Sequence, residues 1–296
     1  RCANELRLGN WLPLASVVNK DPSMRPATPE ESVYFHNDVF GAQILVGLLS
    51  NYLGARVLEV GAGVGCVTQE LSLAAQSVVS IEPNKPLFEE LRLKTSHLSN
   101  VTCLNITLEE FVRTASSSTP TQQQFDSVVY INVLEHIEDD ALELTLASEV
   151  LSSIGRVLIV VPAHDWLYSK VDRLSGHFRR YSRFGLAAKL RQAGLRPTRL
   201  EYFDSVGLLP YLVVYKWLRS TAVSGTNAVV YSKLILPVSK VLHRLSRGRL
   251  IGKNLVAVAA MAEAAQPGAE CSSKLAGRFQ MLFQRVKNPC PHRLEA

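Results

Sequence analysis

The stretch Val57–Thr68, VLEVGAGVGCVT, leads from a short apolar segment into three closely spaced glycines. A buried strand that runs into a glycine-rich turn and then a helix is typical of a ligand-binding loop, because glycine permits sharp turns and close approach of a ligand. Gly65 stands one residue earlier than dinucleotide-binding spacing requires, since that pattern would place the third glycine at Cys66. Glu59 adds an acid just before the turn, and a carboxylate suits a cationic amino acid portion better than a pyrophosphate.

Short β-branched runs alternate with helical patterns on both sides of this stretch. The runs predict strands at 56–60, 77–81, 101–104, 127–131, 157–161, 198–203 and 255–260. Helical patterns lie at 86–98, 108–114, 141–151 and from a capping Ser182 to Gln192, and an apolar helix face is formed by Phe40, Ile44, Leu45, Leu48 and Leu49. Continuous apolar strands are expected where helices cover both faces of a parallel sheet. The sequence therefore predicts a doubly wound α/β fold with right-handed crossovers.

The bulk composition favours one large domain rather than two. The chain has 296 residues, 47% hydrophobic content and a net charge of +6, which favours anionic lipid, nucleic acid or an acidic small molecule as partner. The cysteines are odd in number and contain no Cys-x-x-Cys pair, which argues against a disulfide framework and a zinc site: Cys2, Cys66, Cys103, Cys271 and Cys290. We assign no metal ligands. No apolar run reaches the roughly 18 residues of a membrane span, and we expect a cytoplasmic protein without a secretory signal.

Three segments flank or interrupt the predicted domain at 39–262. Residues 1–38, which are rich in proline, are expected to form an irregular arm, and residues 263–296 a peripheral, disordered tail. Residues 204–254 separate the last two strands and combine aromatic and aliphatic with basic side chains. This insertion is interpreted as a lid, a dimer surface or a membrane-facing element. An amphipathic lid packed on its own domain is the favoured alternative over peripheral membrane contact, and the oligomeric state stays open.

Glu82 ends the second predicted strand, about twenty residues beyond the glycine turn. An acid at this point can accept hydrogen bonds from both hydroxyls of a ribose. The alternative is an ordinary solvated residue at a strand end. Together with the glycine turn, the ribose interpretation is favoured.

The fourth predicted strand ends in Val133-Leu134-Glu135-His136-Ile137. With the glycine turn, this motif resembles the class I, seven-stranded S-adenosylmethionine-dependent methyltransferases of the small-molecule type over about residues 42–260. The resemblance implies a final strand antiparallel to the rest and S-adenosylmethionine as cofactor. It implies that Glu59, Gly61 and Gly63 line the methionine portion and that Glu82 binds the ribose. Asn105 stands near the adenine, where the family often has an acid, and Asn132 near the sulfonium, although Asn132 is equally well explained as a turn residue. The remaining residues expected to bind the cofactor are Ala62, Gly65 and Pro83.

Methyl transfer from a sulfonium is an in-line displacement, in which the protein aligns the acceptor and sometimes removes a proton. Candidate bases in loops at the carboxyl ends of the strands are His136, His164 and His177. Residues 172–181 resemble an Asp-x-x-x-Gly-His-x-Arg-Arg-Tyr stretch found in bacterial-type methyltransferases. Arginine forks bind carboxylate or phosphate, so an anionic acceptor is expected to be held by Arg179 and Arg180, with Tyr181 in the pocket. Alternatively, Asp172 pairs with an arginine to fix the loop.

The acceptor is expected to be a small molecule or lipid-linked. Enzymes that methylate base amines commonly carry Asn/Asp-Pro-Pro-aromatic after the fourth strand, whereas here the sequence reads Asn132-Val133-Leu134-Glu135, with no Pro-Cys nucleophile directly after that strand. We therefore expect no nucleic acid partner. A non-catalytic cofactor-binding partner subunit remains an alternative, and a nicotinamide-dependent oxidoreductase is a less favoured one.

Overall fold

The computed structural model describes residues 38–117, 124–218, 220 and 231–262. The predicted tail, and the predicted arm up to residue 37, lie outside these described residues. The strands are β1 Arg56–Val60, β2 Ser77–Ile81, β3 Val101–Leu104, β4 Phe125–Ile131, β5 Leu151–Pro162, β6 Leu195–Phe203 and β7 Asn254–Met261. The α-helices are α1 Val39–Leu49, α2 Cys66–Ala74, α3 Lys85–Thr95, α4 Leu108–Ser117, α5 Asp140–Glu149, α6 Lys170–Leu174, α7 Arg183–Gln192, α8 Ser205–Tyr211 and α9 Leu236–Ser246.

The strands form one seven-stranded sheet in the order β3-β2-β1-β4-β5-β7-β6. Strands β1 to β5 pair in parallel, whereas β7 is antiparallel to both β5 and β6. The predicted α/β sheet with an antiparallel last strand is confirmed. Its order reverses between β1 and β4, and in open α/β sheets ligands bind beyond the carboxyl ends of the strands at such a point.

Both faces of the sheet are buried, which explains why its central strands read as continuous apolar runs. On β5, Ile159 packs into the cluster on one face of the sheet and Leu158 into the cluster on the other. Both side chains are fully buried, and each contributes about 2 kcal/mol through the hydrophobic effect. The apolar character of successive residues is therefore required by the two helical layers.

Strand β5 begins six residues earlier than predicted. Leu151 pairs with Phe125, and an irregularity separates this pair from the regular register that begins at Ser127 and Arg156. The intervening serines and Gly155 lack the β-branched pattern. A Cβ at Gly155 would lie 2.9 Å from the carbonyl oxygen of Phe125, so only glycine lets the two backbones approach so closely here. The early start of β5 also ends α5 at Glu149 rather than at 151.

Short polar side chains fix where several helices begin. Asp38 accepts a hydrogen bond from the N–H of Gly41 at the start of α1, and Asn84 accepts one from Leu87 at the start of α3. Ser182 caps α7 as predicted, through the N–H of Gly185. Each such cap satisfies an amide that the helix itself leaves without a partner and contributes about 1 kcal/mol.

The described part of the 204–254 insertion packs beside β6. Asp204, fully buried and in a left-handed conformation, caps α8 through Gly207 and accepts hydrogen bonds from Ser239 and Tyr231. Lys253 lies 3.6 Å from the same carboxylate. One buried acid thus joins α8, α9 and the start of β7. None of the helices in the described ranges is long and apolar enough to span a membrane.

Candidate active site

The glycine turn after β1 needs its glycines for two physical reasons. Gly61, Gly63 and Gly65 have positive φ values of 69°, 57° and 92°, a region that other residues enter only with strain. A Cβ on Gly61 would also lie 2.6 Å from the side chain of Val133, in the loop after β4. The turn is therefore pressed against the β4 loop, which brings two predicted motifs together.

The amides of this turn are used within the protein. The N–H groups of Gly61 and Ala62 donate to the carbonyl of Ile81 at 2.9 and 3.1 Å, and that of Gly63 donates to Glu82 Oε2 at 2.8 Å. A pyrophosphate-binding loop presents such groups to the phosphates. A carboxylate stands here instead and would repel a phosphate. The geometry counts against the nicotinamide alternative.

Glu59 is buried beneath the turn. Its Oε2 accepts hydrogen bonds of 2.6 Å from the hydroxyls of Thr68 on α2 and Ser80 on β2. Burial raises the pKa of Glu59 to about 7, although both hydroxyls act to lower it. Glu59 thus fixes the start of α2 against the sheet and can change charge near neutral pH.

Glu82 and Asn105 lie at the adjoining edge of the sheet. Glu82 is buried. Its Oε1 accepts a hydrogen bond from the N–H of Asn84, and its Oε2 accepts one from the N–H of Gly63. Burial raises the pKa of this carboxyl. Asn105 donates its side-chain N–H groups to the carbonyls of Glu82 and the exposed Pro83, at 2.7 and 3.1 Å. The amide oxygen of Asn105 is then its remaining hydrogen-bonding atom, and it suits the amino group of an adenine.

Asn132 follows β4 directly with φ 54° and an exposed side chain. Its N–H donates to the carbonyl of Val160 at 2.8 Å, which continues the sheet by one bond. The turn interpretation accounts for this backbone, because asparagine tolerates the left-handed region. Its contact with a sulfonium stays a prediction.

The three candidate histidines divide into a pair and a single residue. The rings of His136 and His177 meet edge to face with centroids 4.6 Å apart. His164 instead stacks on Tyr202 at 4.5 Å, and its Nε2 lies 3.1 Å from the carbonyl oxygen of Gly252. Burial lowers the pKa of His164, so the neutral ring donates from Nε2 to that carbonyl.

Asp172, on the short helix α6, is the centre of a buried network before α7. Its Oδ1 accepts from Arg180 at 2.8 Å and from His177 Nδ1 at 3.1 Å, and its Oδ2 accepts from Tyr211 and from Ser169. His177 and Arg180 hold the pKa of Asp172 far below its ordinary value against the opposing effect of burial. The alternative that Asp172 pairs with an arginine is confirmed. Tyr211 was missed because it belongs to α8, far along the chain.

A second acid, Asp140 at the start of α5, holds the rest of the motif. Its Oδ1 lies 2.9 Å from Arg179 and 2.6 Å from Lys189, and its Oδ2 accepts from the buried hydroxyl of Tyr181 at 2.8 Å. Burial and this acid raise the pKa of Tyr181 well above its ordinary value. Both motif arginines therefore already have a carboxylate partner, and the predicted roles of Arg179, Arg180 and Tyr181 toward an acceptor stay predictions.

The seven-stranded sheet, with its antiparallel last strand and glycine turn after β1, defines the α/β methyltransferase fold. Residues 40–200 match the family model described as "Methyltransferase domain". The chain therefore belongs to this methyltransferase family.

Individual relatives are more distant. An uncharacterized methyltransferase of Oceanobacillus iheyensis is 30% identical over 153 residues, which are 50% of this chain and 62% of that protein. Ribosomal RNA small subunit methyltransferase A of Koribacter versatilis is 36% identical over 91 residues, 31% of each chain. The chain spans less than two thirds of the length of both relatives. Among solved structures, the complex of the Trm112 activator with a methyltransferase from Haloferax volcanii matches with a TM-score of 0.53 and 13% identity, over 80% of this chain and 98% of that one.

Proposed function

We propose that the chain is an S-adenosylmethionine-dependent methyltransferase that acts on a small-molecule or lipid-linked acceptor. The observation that carries the donor assignment is the Glu82 carboxylate, which holds the N–H of Gly63 in a turn whose amides are already used. Such a turn suits a ligand that has a ribose and a cationic portion but no phosphate. S-adenosylmethionine has this composition.

The residues present fit this donor. A ligand approaches closest at Gly61 and Gly63, where no Cβ intervenes. Glu82 accepts from the ribose hydroxyls, the oxygen of Asn105 accepts from the adenine amine, and Glu59 adds negative charge near the amino acid portion. When bound, the sulfonium supplies an activated methyl group. The chain then aligns the acceptor and excludes water.

An apolar stripe on the insertion favours a lipid-linked acceptor over a freely soluble one. The stripe consists of exposed side chains at spacings of four, three and four along one helical face: Leu234, Val238, Val241 and Leu245. The exposed basic residues around it are Lys233, Arg244, Arg247 and Arg249. Apolar and basic side chains in this arrangement suit an interfacial helix on an anionic lipid surface. We propose peripheral contact with a membrane through this stripe.

Donor binding is tested by isothermal titration of the full chain with S-adenosylmethionine, S-adenosylhomocysteine and a nicotinamide dinucleotide. Binding of the first two and not the third is expected. Binding of the dinucleotide alone would refute the assignment. Donor binding without turnover on any acceptor would support the non-catalytic partner subunit.

The acceptor class is tested with radiolabelled donor and three pools: lipid extract, water-soluble metabolites and ribosomal RNA. Label is expected in the lipid fraction, and label in RNA would refute a lipid-linked or small-molecule acceptor. Flotation with phosphatidylglycerol vesicles is expected for the parent chain and reduced for Leu245→Glu. Leu73→Glu is the matched control, because Leu73 is an equally exposed leucine on α2. Equal flotation of both variants would refute the membrane contact.

A further inference from the structure

Two separate loops bring a glutamate and two histidines to one point beside the glycine turn. Each residue offers one ligand atom, and the ligand atoms of Glu135, His136 and His177 all lie within 4.8 Å of one another. The loops are joined by the N–H of Phe178, which donates to the carbonyl of Glu135 at 2.8 Å. The cluster is therefore held by the backbone.

Glu135 supplies a second, independent observation. The residue is only 1% exposed, and within the described ranges its Oε2 is buried without a hydrogen-bond partner. A buried carboxylate oxygen that lacks a partner is costly, and such groups in folded proteins are ordinarily paired or bound to a metal. Here the nearest groups of the cluster are imidazoles, which bind a metal ion as readily as a carboxylate does.

His177 has the partner that histidine ligands of metals typically have. Oδ1 of Asp172 lies 3.1 Å from Nδ1 of His177 and also accepts from Arg180, so Nδ1 of His177 is the donor to this carboxylate. The tautomer is thereby fixed, and the lone pair lies on Nε2. Carboxylates behind histidine ligands orient the ring and strengthen the nitrogen as a ligand.

We propose that Glu135, His136 and His177 form a binding site for one divalent first-row transition metal ion, with Zn²⁺ as the reference ion. Two imidazoles and one carboxylate suit Zn²⁺ or Fe²⁺, whereas Mg²⁺ prefers oxygen ligands alone. With metal–ligand bonds of about 2.1 Å, ligand atoms in a tetrahedral site are roughly 3.4 Å apart, so the present separations of up to 4.8 Å must shorten by at most about 1.4 Å to complete the site. No metal ligands are predicted from the sequence, because His177 lies about forty residues beyond the adjacent Glu135 and His136 and only the fold brings the three together.

The position of the site suggests what the ion does. Glu135 lies two residues after Val133, whose side chain packs against Gly61 of the donor turn. Three protein ligands leave coordination positions open, as in catalytic zinc sites. An oxygen of the acceptor takes an open position and is held beside the donor. This role rests on the proposed function, whereas the metal site does not.

The metal site is tested on the full chain after treatment with a chelator, in the absence of any donor. Titration with Zn²⁺, and with Co²⁺ followed by its visible absorption, is expected to give one equivalent bound. Saturation is expected to raise Tm by about 5 °C at a hundredfold excess over Kd. Mg²⁺ is expected to give neither effect. No bound equivalent of Zn²⁺ or Co²⁺ would overturn the proposal.

Variants locate the bound ion. Glu135→Gln and His177→Ala are expected to weaken Zn²⁺ binding at least tenfold, and the exposed His97→Ala to leave it unchanged. Asp172→Asn is expected to weaken it 10- to 100-fold. Glu135→Gln is the decisive variant, because Oε2 has no hydrogen bond to lose and the metal-free protein should keep its Tm. Unchanged binding in Glu135→Gln would place the ion elsewhere and overturn the site. Donor titration of the same variants reports separately on the proposed function.

Discussion

Replacement of Glu59 by glutamine separates the structural role of this buried acid from its role toward the donor. The side-chain oxygen of glutamine can accept the same two hydrogen bonds from Thr68 and Ser80, so the packing beneath the turn is preserved. What glutamine removes is the ability to ionise. Any difference that depends on pH between the parent chain and Glu59→Gln therefore reports on the charge of Glu59.

The sign and size of the effect follow from the raised pKa. Glu59 moves from an ordinary pKa of 4.5 to about 7 because it is buried. Its contribution to stability is therefore fully present below pH 4.5 and is lost as the pH rises through about 7. Linkage gives a loss of about 2.5 kcal/mol between pH 5 and pH 8. Glu59→Gln is expected to lack this loss, so its stability relative to the parent rises by that amount.

Donor binding is expected to change in the opposite direction. If the ionised carboxylate attracts the cationic portion of the donor, the parent chain binds about tenfold more tightly at pH 8 than at pH 6. Glu59→Gln is expected to lose this dependence and to bind about tenfold more weakly at pH 8, which corresponds to the loss of one charged contact.

The assays are urea unfolding at pH 5 and pH 8 and donor titration at pH 6 and pH 8. Glu143→Gln is the matched control, because burial also raises the pKa of Glu143 to about 7 while its hydrogen-bond partner is Tyr130 of β4 rather than a residue beside the glycine turn. The control is expected to share the effect on stability and to leave donor affinity unchanged. A parent chain and Glu59→Gln with the same pH dependence of stability would refute the reasoning.

The other predictions concern single contacts at the same edge of the sheet. Gly61→Ala combines positive φ with a methyl group 2.6 Å from Val133. The free energy of unfolding is expected to fall by about 2 kcal/mol and donor binding to be lost, and an unchanged Tm and donor affinity in calorimetry would contradict this. Glu82→Gln is expected to weaken donor binding at least tenfold in titration, because one acceptor of the ribose becomes a donor; unchanged affinity would remove Glu82 from the site. Asn132→Gly is expected to keep the free energy of unfolding, since glycine accepts φ 54° without strain, and to weaken donor binding only if the side chain contacts the donor. Asp204→Ala is expected to lose about 3 kcal/mol in urea unfolding, because Lys253 and three hydrogen-bond donors lose their partner; a loss below 1 kcal/mol would show that the network is dispensable.

Most of the sheet could be predicted because both of its faces are buried. In β1 and β2 the residues after the first are mostly buried and mostly apolar, and there the predicted bounds agree with the structure. The sequence does not predict the first half of β5. This part of the strand lies at the end of the sheet away from the glycine turn, and it contains serines and Gly155. There, close backbone approach rather than side-chain packing determines the structure, and composition carries little information about it.

The candidate site has one part that the sequence predicts and one part that it does not. The donor turn is local: Glu59, Gly61 and Glu82 stand in or directly after consecutive strands, so their spacing in the sequence already indicates a shared site. The acceptor loop is not local. Its arginines are held by Asp172 and Asp140, and completing these networks needs a tyrosine from α8 and a lysine from α7. Only tertiary contacts identify the partners.

Non-glycine residues with strained backbone lie at the edge of the sheet that carries the glycine turn. Asn132, His164 and Asp204 have positive φ just after β4, β5 and β6, and a fourth non-glycine residue with positive φ in the described ranges, Arg247, ends α9. Because β7 runs antiparallel to both neighbours, β6 runs in the same direction as β5, and all three residues share the edge that carries Gly61. Each such conformation costs on the order of 1 kcal/mol. Asparagine and aspartate tolerate it, but His164, with ψ 108°, lies outside the left-handed helical region as well. Strain of this kind persists where side-chain position matters more than stability, which agrees with the proposal that the donor binds at these strand ends.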